Sequence, residues 1–132
     1  MSAVAATIQA LLDDATVTGV VSTRIYPLVL PQTAVPPAIV VTMAAEIDPG
    51  EHLAGIGAIL NTRVNVQCLS TDPAQVMRLG ESVRAALHGR AGTFNSWSVQ
   101  FRKAENDMTD HDENRTIFRR VIGFRVWWRT VS

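Results

Sequence analysis

Three stretches of the chain alternate apolar and polar side chains with a period of two. That period commits the backbone to a sheet with one buried and one wet face. In residues 58–69, Leu60, Val64, Val66 and Cys68 point one way and Asn61, Arg63, Asn65 and Gln67 the other. Residues 94–103 set Trp97, Val99 and Phe101 against Ser96, Ser98, Gln100 and Arg102. Residues 116–130 set Phe118, Ile122, Phe124, Val126 and Trp128 against Arg119, Val121, Arg125, Trp127 and Arg129. The last run exceeds the usual strand of about 5–6 residues, and Gly123 is where it would bend. A further strand is expected over 38–44, where Ile39, Val40, Val41 and Thr42 are consecutive β-branched residues.

Helical spacing appears twice. Val4, Ile8, Leu11 and Leu12 fall on one face of an Ala-rich segment over 2–12. Carboxylates at a helix C-terminus oppose the dipole, so the helix should end at Asp13 and Asp14 should cap a second short turn through 15–20. The second helix is clearer. Asp72 or Thr71 is the expected N-cap, Pro73 the first helical residue, and Val76, Leu79, Val83 and Leu87 the core stripe. Gly89 is the expected C-terminal stop.

Between these elements lie two irregular segments. Four prolines (Pro27, Pro31, Pro36, Pro37) exclude a helix and a central strand from 24–37, which reads as extended, at best an edge strand with a turn. Residues 46–57 carry Pro49 and three glycines and read as a loop joining two strands, with Asp48, Gly50, His52, Gly55 and Gly57 as its mobile positions. The acid-rich residues 105–114 read as a solvated turn. The expected whole is one α+β domain over residues 1–132, an antiparallel sheet of about four strands with two helices packed on one face.

Composition narrows the function classes. Twelve basic residues balance twelve acidic ones, so the formal charge is zero, which argues against sequence-independent phosphate binding. Hydrophobic residues at 47% and charged residues at 18% exclude a disordered chain. Cys68 is the single cysteine, too few for an internal disulfide or a Cys-based zinc site. No apolar run approaches the ~18 residues of a membrane span, and no basic residue precedes the first apolar stretch, so a soluble cytosolic product is expected.

No catalytic, cofactor or metal site emerges. Asp110-His111-Asp112-Glu113 resembles a set of hard ligands, but sequence neighbours rarely converge on one ion, and a solvated turn is the simpler reading. His88 suits the end of a helix; His52 has no assigned role. Cys68 has core spacing and no partner base. Gly50, Gly55 and Gly57 are followed by no GK[ST], and no serine sits in a nucleophile elbow.

Eleven of the twelve basic residues are arginine. Codon bias is one explanation. Where Arg63, Arg102, Arg119, Arg125 and Arg129 share a sheet face with Trp127, three readings stay open. The face is a solvated surface, a protein interface enriched in Arg and Trp, or an RNA-binding sheet, although the exposed aromatic run of the last is missing.

Specific residues carry a family resemblance. Leu11-Leu12, Arg24-Ile25-Tyr26-Pro27, Pro31 and Pro36-Pro37-Ala38-Ile39-Val40 are followed by Val64-Asn65-Val66-Gln67, Asp72-Pro73 and Leu79 to Gly89. Over residues 5–130 these resemble the tail completion (head–tail joining) proteins of long-tailed bacteriophages and prophages. Pro37 departs from the aromatic or apolar residue usual at its position. The resemblance implies a small α+β subunit of a homo-oligomeric ring, typically a hexamer, between tail tube and head connector, with DNA passing through the lumen. It implies a virion component, met in the host cytoplasm during assembly. It implies no catalytic residue, cofactor, metal or membrane. Alternatives are a minor tail tube terminator or neck protein, or a small nucleic-acid module using the Arg-lined face.

Overall fold

The computed structural model describes residues 3–47, 60–94, 97–112 and 116–130. Its elements run α1 (Ala3–Leu12), α2 (Ala15–Val21), β1 (Ile25–Pro27), β2 (Ala38–Ile47), β3 (Leu60–Ser70), α3 (Pro73–Leu87), β4 (Ala91–Phe94), β5 (Trp97–His111) and β6 (Phe118–Thr130). Among the described residues the sheet has six strands in the order β1-β2-β3-β6-β5-β4. The helices cover one face. Val64, Val66, Cys68, Ile122, Phe124 and Val126 join Leu11, Val17, Leu79, Val83 and Leu87 in a single core, as the alternating pattern requires.

The fold expectation needs correction in three places. The sheet is mixed, because β1 pairs parallel to β2 with Ile25 opposite Ile39, while β2 with β3, β3 with β6, β6 with β5 and β5 with β4 are antiparallel. Among the described residues there are six strands rather than four, since β1 and the short β4 line the two edges. Among the described residues there are three helices rather than two, since 15–21 forms a full α-helix.

The sharpest difference is β5. It runs straight through the acidic stretch expected to be a turn, pairing with β6 as far as His111 opposite Phe118. Register shifts between Phe101 and Ala104 and again between Ala104 and Asn106 keep Phe101, Ala104 and Asp107 opposite the core-facing Val126, Phe124 and Ile122. Two bulges thus restore the period that the sequence breaks. The acids beyond them find arginine partners on β6 and α3.

Helix ends follow the sequence. Asp14 Oδ1 accepts from the N–H groups of Thr16 and Val17, both at 3.0 Å. Asp72 Oδ1 accepts from Ala74 N–H at 3.0 Å, with Pro73 at the first helical position. Gly89 follows α3 at φ +68°, the left-handed turn that glycine supplies. At the end of α1, Arg90 Nη1 donates to Ala10 O at 2.9 Å, placing a cation at the negative end of the dipole. No single helix is long and apolar enough to cross a membrane; α1 and α2 meet at 89° and bury their inner faces in the core.

Candidate assembly surfaces

The six residues marked as interface candidates do share one sheet face, but they are not equivalent. Arg63 on β3 stands directly opposite Arg125 on β6, a like-charge pair that is unfavourable alone. Glu105, projecting from the second bulge of β5, resolves it. Its Oε2 lies 3.0 Å from Arg63 Nη2 and its Oε1 3.0 Å from Arg125 Nε. The second contact is an ion pair without hydrogen-bond alignment, and Nε of both arginines lies buried without a hydrogen-bond acceptor. Replacing Glu105 by alanine should cost about 1 kcal/mol at low salt, less as salt is added, because all three side chains are about a third exposed. Urea unfolding at two ionic strengths checks this.

Arg119 is likewise committed. Its Nε donates to Asp110 Oδ1 at 2.9 Å, Nη2 pairs with Asp110 Oδ2, and Nη1 reaches Gln67 Oε1 at 3.3 Å. The guanidinium holds the Asp110 carboxyl below its ordinary range. Asp110 and His111 therefore belong to a strand, not a turn. Asp112 closes the hairpin by accepting from Ile117 N–H at 3.1 Å.

Arg102 and Arg129 are different. Both are exposed and neither meets a carboxylate among the described residues. The Arg102 guanidinium lies 5.5 Å from the ring centroid of Trp127, a cation–π distance. Trp127 stands opposite Gln100 on β5 and Asn61 on β3, and is 38% exposed. A hollow of about 220 Å³ beside it is lined by Ser98, Gln100 and Arg129.

A second uncovered surface lies where the prolines cluster. Residues 28–37 connect β1 to β2 and project Leu28, Val29 and Val35, which are 63%, 70% and 67% exposed. Leu28 sits at φ +69°, and Val29 N–H donates to Pro27 O at 2.8 Å across it. This is the rare, strained form of the γ-turn, held in place by Leu28 N–H to Val41 O at 2.9 Å. Arg24 ties the two ends of the projection together: its Nε donates to Pro37 O at 2.9 Å, and its own carbonyl accepts from Ile39 N–H at 2.9 Å. The Arg-Ile-Tyr-Pro and Pro-Pro motifs are thus the two feet of one apolar hook.

One residue escaped the sequence reading altogether. Arg120 occupies a core-facing position of β6 and is 5% exposed. It grips Asp107 with two bonds, Nε to Oδ1 at 2.9 Å and Nη2 to Oδ2 at 2.6 Å. Nη2 also meets Glu81 Oε1 at 2.9 Å, and Nη1 donates to Met77 O at 2.8 Å. Arg84 adds a contact to Asp107 at 3.1 Å. The cluster fastens α3 to the β5–β6 arm. Arg120, above all, holds the Asp107 carboxyl below its ordinary range. The signal was an arginine in the apolar register between Phe118 and Ile122, matched by a glycine in α3. A Cβ at Gly80 would lie 2.7 Å from Arg120 Nη1 and closer still to its Cδ.

The remaining candidates do not converge. Asp48, Gly50, His52, Gly55 and Gly57 lie outside the described residues. Cys68 is fully buried, and burial pushes its thiol up to about 12, far from a reactive thiolate. No three His, Cys, Asp or Glu side chains come together among the described residues.

The family described as Tail completion protein gp17 matches residues 5–129. No curated protein matches the chain. A solved chain in the virion of a native gene transfer agent (GTA) particle has the same fold, with a TM-score of 0.72 at 19% identity. The alignment covers 97% of this chain and 98% of that one.

Proposed function

Since the chain belongs to the tail completion protein gp17 family, a group of structural tail proteins, we propose that it is a ring-forming subunit that completes the tail end and joins it to the head connector. The observation that carries this reading is the hook. Four large apolar side chains within residues 28–35 are exposed, on a strained turn that the surrounding hydrogen bonds over-determine. Such a surface is built to be covered by another protein. The Arg102–Trp127–Arg129 end of the sheet is a second surface with interface composition, so the subunit offers the two unlike faces that a rotationally closed ring uses.

On this reading the work is mechanical rather than catalytic. The chain meets copies of itself, the tail tube and the connector in the particle, after assembly in the host cytoplasm, and DNA passes through the lumen without being read. A hexamer is the stoichiometry proposed. Native mass measurement with negative-stain imaging over a concentration series tests it. Closed rings of one size are the expected result. Monomers at every concentration, with or without tail tube protein, would overturn the ring. Salt-dependent oligonucleotide binding by the monomer would favour a nucleic-acid module instead.

A further inference from the structure

The hook and the Trp127 end of the sheet are opposite in hydrogen-bonding character. Within residues 28–37, Pro31, Pro36 and Pro37 have no N–H. The N–H groups of Leu28, Val29 and Ala34 are spent on the carbonyls of Val41, Pro27 and Pro31. The carbonyls of Leu28, Val29, Leu30 and Val35 accept nothing from the described residues. The hook is therefore apolar in its side chains and acceptor-rich in its backbone. The other surface is the reverse. Arg102, Arg129 and the Trp127 indole can only donate, and none of them has an acceptor or carboxylate among the described residues. Trp127 stands between two hollows of about 220 and 660 Å³, and Gln100 lines both.

From this we infer that the proline-rich hook of one copy docks on the Trp127 end of the polar sheet face of the next. Aromatic grooves take extended, proline-rich segments in this way: the ring meets the apolar side and flanking donors meet the carbonyls. Trp127 supplies the anchor, held by the Arg102 guanidinium 5.5 Å from its ring centroid. The hollows beside it receive the exposed side chains of Val29 and Val35. Arg102 and Arg129 donate to the hook's carbonyls from the rim, where water keeps their charge hydrated. The two surfaces do not meet within one subunit. The hook leaves the sheet at its β1 edge, three strand spacings, about 14 Å, from β6, and both surfaces are exposed. Each complements the other and not itself. Hook against hook leaves carbonyls without donors, and the arginine face against itself sets like charges together. The contact is therefore head-to-tail, and it becomes a ring where the rotation between copies closes.

The inference rests on the ring reading above and can fail separately from it. Analytical ultracentrifugation compares the unaltered chain, a hook variant (Val29→Ser/Val35→Ser) and a face variant (Trp127→Ser/Arg129→Ala). A second face variant, Arg102→Glu/Arg129→Glu, keeps Trp127 and sets carboxylates against carbonyls. All of these side chains are exposed, and an unfolding curve for each variant confirms its fold. Each variant alone should associate roughly tenfold more weakly or worse, the loss expected on removing an interface anchor. An equimolar mixture of hook and face variants should form a one-to-one dimer and nothing larger. The face variant keeps a sound hook and the hook variant a sound face, so one contact forms and none can follow. The dimer is read at the highest attainable concentration, since a single contact lacks the reinforcement of a closed ring. Variants that assemble as the unaltered chain does would overturn the docking and leave the ring standing. A mixture that stays monomeric, or that grows past dimers, would also overturn it. An unaltered chain that is monomeric at every concentration brings down the ring reading and the docking with it.

Discussion

Replacing Arg120 by alanine should lower the unfolding free energy by about 3 kcal/mol, the low end of what breaking a buried ion pair costs. The low end applies because Asp107 keeps Arg84 and its side chain is 28% exposed. The loss has three sources: Asp107 surrenders its bidentate partner, Met77 O loses a donor, and the guanidinium leaves a void against α3. The distinctive outcome concerns Gly80. In the unaltered protein Gly80→Ala should destabilise by about 1–3 kcal/mol, the cost of overpacking, since its Cβ would enter the guanidinium. In the Arg120→Ala background the same change should stabilise by about 1 kcal/mol, because the steric bar is gone and alanine's helix preference remains. Urea unfolding of the four proteins reads both values. A Gly80→Ala change that is neutral in the unaltered protein would show that Arg120 does not pack on the bare helix backbone.

The same cluster sets a pH dependence. Asp107 and Asp110 have folded pKa values below the ordinary 3.8, each chiefly through an arginine hydrogen bond. A carboxylate with a depressed folded pKa contributes stability that is present above its unfolded value and lost as pH falls through the folded one. Stability should therefore be flat near neutrality and decline below about pH 4. In Arg120→Ala the Asp107 share of that decline should shrink to what Arg84 still supplies, leaving a shallower acid limb in a pH series of unfolding free energies.

These residues also mark what the chain discloses and what it conceals. The stripe Val76, Leu79, Val83 and Leu87 with Asp72-Pro73 ahead of it defines α3 without ambiguity, because spacing and capping agree. Alternation placed Arg63, Arg102, Arg119, Arg125, Trp127 and Arg129 on one face correctly. Alternation could not say which of them are free. That depends on Glu105 and Asp110, and these read as turn residues until the two bulges of β5 carry them into register. Parallel pairing of β1 was also hidden, since a parallel neighbour ordinarily needs a longer crossover than residues 28–37 provide. Arg120 was concealed for a related reason. A charged side chain at a core position is rare unless paired, and its partners lie on α3 and β5, which no local pattern connects to β6.

On the proposed joining role, substituting serine for Leu28, Val29 and Val35 together should leave the fold intact and abolish particle completion. The stability change should be within about 0.5 kcal/mol, the range for surface positions without special contacts, because these side chains are exposed while the bonds that shape the hook are backbone bonds. The functional loss should be complete, because the hook's apolar area has no other use in the monomer. Holding Leu28 at positive φ costs about 1–3 kcal/mol, which the intrachain bonds Leu28 N–H to Val41 O and Val29 N–H to Pro27 O offset, so the exposed side chains can be changed without loss of the turn. Particle yield in a complementation assay, set beside an unfolding curve of the purified variant, separates the two effects. Full yield from a normally folded variant would remove the hook from the joint. Arg24→Ala provides the converse case: it leaves every apolar side chain in place but frees the foot at Pro37, so the same yield should fall through loss of shape alone.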